Sequence, residues 1–115
     1  MTVTIYHNPR CSKSRQTLQL LRDRGIEPTI VEYLQTPPDA ATLRDILAKL
    51  GLDPRGLMRK KEDAYKANRL DDEGLGEGAL IDAMVANPVL MERPVVLANG
   101  KAAVGRPPEK VLEIL

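Results

Sequence analysis

The sequence predicts an α/β fold: strand–helix–strand, then a helical middle, then strand–strand–helix. Three observations predict it. A β-rich stretch, a helical stretch and a second β-rich stretch follow one another within the first 33 residues. The middle carries apolar residues at helical spacing. Two extended runs near the end flank Asn99-Gly100, the strongest short-range hairpin signal.

In order, residues 2–6 (Thr-Val-Thr-Ile-Tyr) alternate and are rich in β-formers, so they predict a strand. A loop follows at His7-Asn8-Pro9-Arg10. A helix starts near Cys11 or Ser12, with Ser14, Thr17, Leu18 and Leu21 on one face and Gly25 as its stop. Residues 29–33 predict a second strand, and strand–helix–strand over this length is a βαβ unit with two parallel strands. Thr36-Pro37-Pro38-Asp39 is a helix-start signal that leaves the capping residue open. Leu43, Ile46, Leu47 and Leu50 then fall at i, i+3, i+4 and i+7, and Gly51 ends the run. Short helical turns are expected at 54–59 and 62–67. Residues 77–86 place Leu80, Ile81, Met84 and Val85 on one helix face. Residues 94–98 and 101–104 form the hairpin. Pro107-Pro108 open a C-terminal helix bearing Val111, Leu112 and Leu115. This is the element order of the thioredoxin fold: one domain spanning 1–115, with a helical insertion at about 36–88 and a mixed sheet with helices on both faces.

Composition narrows the function. With 17 basic and 16 acidic residues, the net charge of +1 supplies no broad field for nucleic acid or anionic lipid. Three Tyr and no Trp or Phe argue against a base-stacking platform. No apolar run has the ~18 residues needed to span a bilayer, and the N-terminal stretch is too short for a secretory signal. The single Cys cannot form an intrachain disulfide. A reducing cytoplasm, where a lone thiol stays free, is the expected location.

Cys11 stands where a strand gives way to a helix. Free N–H groups and the positive end of the helix dipole favour a thiolate there. Arg10, Lys13 and Arg15 add positive charge within one turn. A buried structural Cys is the alternative, but the polar, basic flank favours a reactive thiol. Ser14 occupies the position where a second Cys would complete Cys-x-x-Cys, so any second thiol must come from outside. Its hydroxyl either donates to the thiolate or packs the first turn. His7, the only His, is either a proton donor or electrostatic partner of the thiolate, or a residue that holds the loop's shape. One Cys and one His are too few for a zinc site. Arg93 precedes Pro94, a place where cis peptides occur. Arg59 and Arg106 are each a surface charge unless they converge with Arg93, in which case their planar forks suit a tetrahedral oxyanion.

His7-Asn8-Pro9-Arg10-Cys11-Ser12-Lys13-Ser14-Arg15, with Thr17-Leu18 behind it, resembles the active-site signature of the glutaredoxin-dependent arsenate reductases, a thioredoxin-like family related to the Spx proteins. Leu57-Met58-Arg59-Lys60, Glu92-Arg93-Pro94-Val95-Val96 and Val104-Gly105-Arg106-Pro107 resemble its three arginine segments, in the family's order. The resemblance implies a cis bond before Pro94. It implies Cys11 as nucleophile on arsenate held by Arg59, Arg93 and Arg106, with His7, Ser14, Arg15 and Pro94 in support. It implies glutathione as co-substrate, glutaredoxin as partner, no metal or bound cofactor, and a monomer. One departure is plain: Ser12-Lys13 replaces the Gly-Thr common in well-characterised members. That trades a residue permitting close backbone approach for one adding charge where the anion enters. The departure bears on the substrate. The competing readings are a glutathione-dependent thiol reductase or transferase, which needs no arginine triad, and an Spx-like regulator binding RNA polymerase.

Overall fold

The computed structural model describes residues 2–115. The chain forms two compact units, one ending at Thr36 and resuming over Arg93–Leu115, the other Pro37–Glu92.

The first unit holds a four-stranded sheet: β1 (Val3–His7), β2 (Thr29–Glu32), β3 (Val95–Ala98) and β4 (Lys101–Val104), in the order β2-β1-β3-β4. β1 pairs parallel with β2 and antiparallel with β3, and β3 pairs antiparallel with β4. This is the predicted mixed sheet, in thioredoxin-like order. Ile5 is central, opposite Ile30 on one side and Val96 on the other. Because side chains alternate along a strand, Val3 and Ile5 share a face with Val96 and Ala98. Leu18 and Leu21 of α1 (Ser12–Asp23) close over that face, as do Val111 and Ile114 from the C-terminal segment.

α1 buries Ser14, Thr17, Leu18 and Leu21, the predicted stripe. It ends in a Schellman motif. Gly25, at φ +76°, donates its N–H to the Arg22 carbonyl, and Ile26 donates to the Leu21 carbonyl. Ile26 then packs onto the core.

The second unit is helical: α2 (Ala40–Leu50), α3 (Asp63–Ala67) and α4 (Glu77–Ala86), with 3₁₀ turns at Pro54–Leu57 and Pro88–Leu90. The cap left open in the sequence is Asp39, whose carboxylate accepts from the Thr42 N–H at 2.8 Å. Leu43, Ile46 and Leu47 are buried, as are Leu80, Ile81 and Met84. Met58 and Met91 form an isolated antiparallel bridge, flanked by Arg59 N–H to the Leu90 carbonyl at 2.7 Å and Glu92 N–H to the Leu57 carbonyl at 2.8 Å. No helix among the described residues is long and apolar enough to cross a membrane.

Four local expectations are corrected. The C-terminal helix is 3₁₀ rather than α, at Pro108–Ile114, so the buried pair is Val111 and Ile114, three apart, while Leu112 and Leu115 are half-buried. β1 runs on to His7, which belongs to the strand rather than to the loop. β2 ends at Glu32, leaving Tyr33 just past it. The turn beginning at Pro54 ends at Leu57, so Arg59 stands outside it.

Gly105 shows how tightly β4's exit packs. A Cβ there would lie 2.5 Å from Thr17 Oγ1 and 2.8 Å from Pro94 Cγ. Gly105→Ala is therefore expected to destabilise the fold by about 1–3 kcal/mol through overpacking, read as a lower urea midpoint with an unchanged m-value.

Candidate active site

The site begins with the turn from β1 into α1. Alternation puts His7 on the same face as Val3 and Ile5, the face that α1 covers. There its Nδ1 lies 2.7 Å from Ser14 Oγ. The same hydroxyl oxygen accepts the Asn8 backbone N–H at 3.0 Å. Asn8 is buried. Its side-chain oxygen accepts the Arg10 N–H and its carbonyl accepts the Cys11 N–H, each at 3.0 Å. Arg15 reaches back to the Pro9 carbonyl at 3.0 Å. Ser14 therefore spends its hydroxyl on the loop, and its backbone N–H is what serves the thiol. The His7 ring is thereby tied to the loop through Ser14.

Burial holds the His7 pKa below its ordinary value, helped by the charges of Arg22 and Arg15 and opposed by Glu32. A neutral ring with Nδ1 as acceptor satisfies both the Ser14 O–H and the Asn8 N–H.

Cys11 is the N-cap of α1, in extended conformation, and 8% exposed. Burial pushes its thiol pKa up, but the surroundings more than reverse this. The Ser14 N–H, the hydrogen bonding and charge of Arg93, and the Lys13 N–H all favour the thiolate, and the net shift is downward. Arg106 Nη2 lies 3.7 Å from the sulfur. Its Nε donates to the Arg93 carbonyl at 2.9 Å, which fixes the guanidinium's direction. The peptide bond before Pro94 is cis, as the resemblance implied. So is the bond before Pro107, which the sequence reading did not anticipate.

Topology explains the convergence. β1, β2 and β4 run in one direction and β3 in the other. The residues following the first three strands and the residue preceding β3 therefore meet at one edge of the sheet. Cys11 comes from the loop after β1, Arg106 follows β4, and Arg93 precedes β3. Tyr33 follows β2 and is fully buried. Burial pushes its phenol pKa up, and the nearby Cys11 charge adds to this. Arg93 and Asn8 stand close enough to oppose it, although the hydroxyl has no hydrogen bond of good geometry. Sequence reasoning missed both Tyr33 and Asn8. The usable signal was strand register, since His7 pairs with Glu32 and the next residues on the two strands are Asn8 and Tyr33.

Arg59 belongs to the helical unit. There it pairs with Glu62 at 3.5 Å and Glu92 at 4.0 Å and is about one quarter exposed. The structure thus brings Cys11, Arg93 and Arg106 together in the sheet unit and places Arg59 in the other. Among the described residues, no three His, Cys, Asp or Glu side chains gather as metal ligands. Chemically, a thiol whose pKa is lowered and which faces two guanidinium groups is a nucleophile with anion-binding donors beside it.

Comparison with known proteins gives a consistent result. The pattern of the ArsC family matches residues 6–114. The chain is 66% identical to the uncharacterized protein YfgD of Escherichia coli (strain K12), over 98% of this chain and 96% of that one. It is 55% identical to the arsenate reductase of Neisseria meningitidis serogroup B, over 98% and 97% respectively. The solved arsenate reductase structure from Vibrio cholerae superposes with a TM-score of 0.98 at 52% identity, covering 100% of this chain and 98% of that one.

Two predictions come from the geometry. Arg93→Met removes a hydrogen bond and a positive charge from the thiolate, so the Cys11 pKa should rise and iodoacetamide alkylation at neutral pH should slow; thiolate absorbance against pH measures the shift. The depressed His7 pKa makes folding pH-dependent. The folded protein holds the ring neutral where the unfolded chain, with its pKa of about 6.5, takes up a proton. That stabilisation is full above the unfolded value and is lost as pH falls through the folded one. Urea unfolding should show a loss of stability on acidification below about pH 6.5, and the loss should be smaller in His7→Gln.

Proposed function

Because the chain belongs to the ArsC family, we propose that it reduces arsenate to arsenite through the Cys11 thiolate, with glutathione as thiol co-substrate and glutaredoxin as the partner that regenerates it. The observation that carries this reading is the placement of Arg93 and Arg106 against a single buried thiol, whose pKa Arg93 helps to lower. A single Cys can bond to arsenic but cannot by itself supply the second sulfur that a disulfide needs.

The steps balance as follows. Arsenate enters beside Arg93 and Arg106. The Cys11 thiolate attacks arsenic and one oxygen leaves as water, its protons drawn from solvent. Glutathione adds its sulfur to the same arsenic. The two sulfurs then join, arsenic takes up the electron pair and falls from the +5 to the +3 state, and arsenite leaves. The sum is arsenate plus two thiols giving arsenite, water and a Cys11–glutathione disulfide. Glutaredoxin removes the glutathionyl group by thiol–disulfide exchange. The guanidinium groups contribute most where negative charge builds on the arsenate oxygens, and preorganised donors act best there. No resident metal or cofactor takes part. The reading assigns the protein to the cytoplasm, as a monomer.

The test is arsenate-dependent NADPH oxidation coupled through glutathione, glutaredoxin and glutathione reductase. Wild type should turn over and Cys11→Ser should not. Arg93→Ala and Arg106→Ala should each lose about 10²–10³-fold in kcat, the usual loss of one oxyanion donor. An inactive wild type, with every coupling component shown to work, would overturn the arsenate assignment. It would shift attention to a glutathione-dependent thiol reductase, with Ser12 and Lys13 as the residues that redirect substrate.

A further inference from the structure

A cleft of about 480 Å³ runs along the exposed side of α1, opposite the loop that follows β4. Lys13, Gln16, Gln19 and Asp23 line one wall, and Pro107 and Glu109 line the other. All belong to the sheet unit. The mechanism gives these side chains no other task. One end of the cleft adjoins the thiol, since Lys13 lies two residues from Cys11, and Pro107 follows Arg106, whose guanidinium is 3.7 Å from the sulfur.

We propose that this cleft binds glutathione, with the glycyl carboxylate at Lys13 and the γ-glutamyl ammonium at Asp23. The inference rests on the reading of glutathione as the thiol co-substrate. Three observations support it. The first is charge order along α1: Lys13 stands at the thiol end and Asp23 at the far end, with the carboxamides of Gln16 and Gln19 between them to meet the peptide groups. The second is length. Lys13 to Asp23 spans about 15 Å of helix at 1.5 Å per residue, and a tripeptide extends about 10–11 Å before its terminal groups meet side chains. The third is that these charges oppose the helix itself. A cation in the first turn and an anion in the last are both of the wrong sign for the helix dipole, and Gln19 Nε2 holds the Asp23 carboxylate in place at 2.8 Å. Charges set against helix stability at both ends of one groove fit a zwitterionic ligand.

The probe is S-methylglutathione, which has no free thiol and takes no part in electron transfer, titrated into the full-length protein and followed by backbone amide shifts. Saturable shifts are expected along residues 13–23 and at Glu109. Asp23→Lys and Lys13→Glu should each weaken binding about tenfold, the scale of one charge-assisted hydrogen bond. In the coupled assay, Asp23→Lys should raise KM for glutathione relative to KM for arsenate and leave KM for dithiothreitol, used as the alternative thiol, in place. Shifts centred elsewhere, no saturable shift, or unchanged affinity in both variants overturns the proposal. An equal rise in KM for dithiothreitol also overturns it. Because binding of S-methylglutathione needs no arsenate, failure of the cleft and failure of arsenate turnover are separate results.

Discussion

The Ser14 hydroxyl governs the geometry of the loop that carries the thiol. It sits between the His7 ring and the Asn8 backbone N–H, and so ties the last residue of β1 and the first of the loop to the first turn of α1. With those fixed, Asn8 can turn the chain through its own side chain and carbonyl, and Cys11 arrives as the helix cap. The network is buried and short-ranged, so each bond supports the next. The thiolate-favouring N–H groups of Lys13 and Ser14 belong to that same turn. A position that could have carried a second redox sulfur carries the residue that shapes the loop.

The second constraint is the sheet. An antiparallel third strand brings the start of β3 to the same edge as the ends of β1, β2 and β4. Arg93 and Arg106 are therefore placed by strand direction and by the hairpin between them. Gly105 completes the arrangement by letting β4 leave the sheet against Thr17 and Pro94 without a side chain in the way.

Much of this was legible from sequence because it is local. The βαβ unit, the α1 stripe, Gly25 as a helix stop and the Asn99-Gly100 hairpin each depend on a few neighbouring residues. The position of Cys11 at a helix start was readable for the same reason. What escaped was either long-range or a matter of degree. Arg106 meets a sulfur 95 residues away, and no spacing rule brings them together; only the family resemblance pointed there. Tyr33 read as the last residue of a strand, and its closeness to Asn8 and Arg93 appears only once β1 and β2 are in register. The C-terminal segment has the composition of an amphipathic α-helix, yet paired prolines open a seven-residue segment that winds as 3₁₀. That moves the buried position from Leu115 to Ile114.

The bond from Arg106 Nε to the Arg93 carbonyl has an evolutionary implication. Its acceptor is a main-chain atom, present whatever side chain occupies position 93. The two cations are neighbours in space but independent in heredity: a lineage can exchange Arg93 for another side chain and retune the ligand it admits while Arg106 keeps its anchor and its aim at the sulfur. The scaffold can thus drift in specificity one substitution at a time, without passing through an intermediate in which the remaining cation has lost its hold.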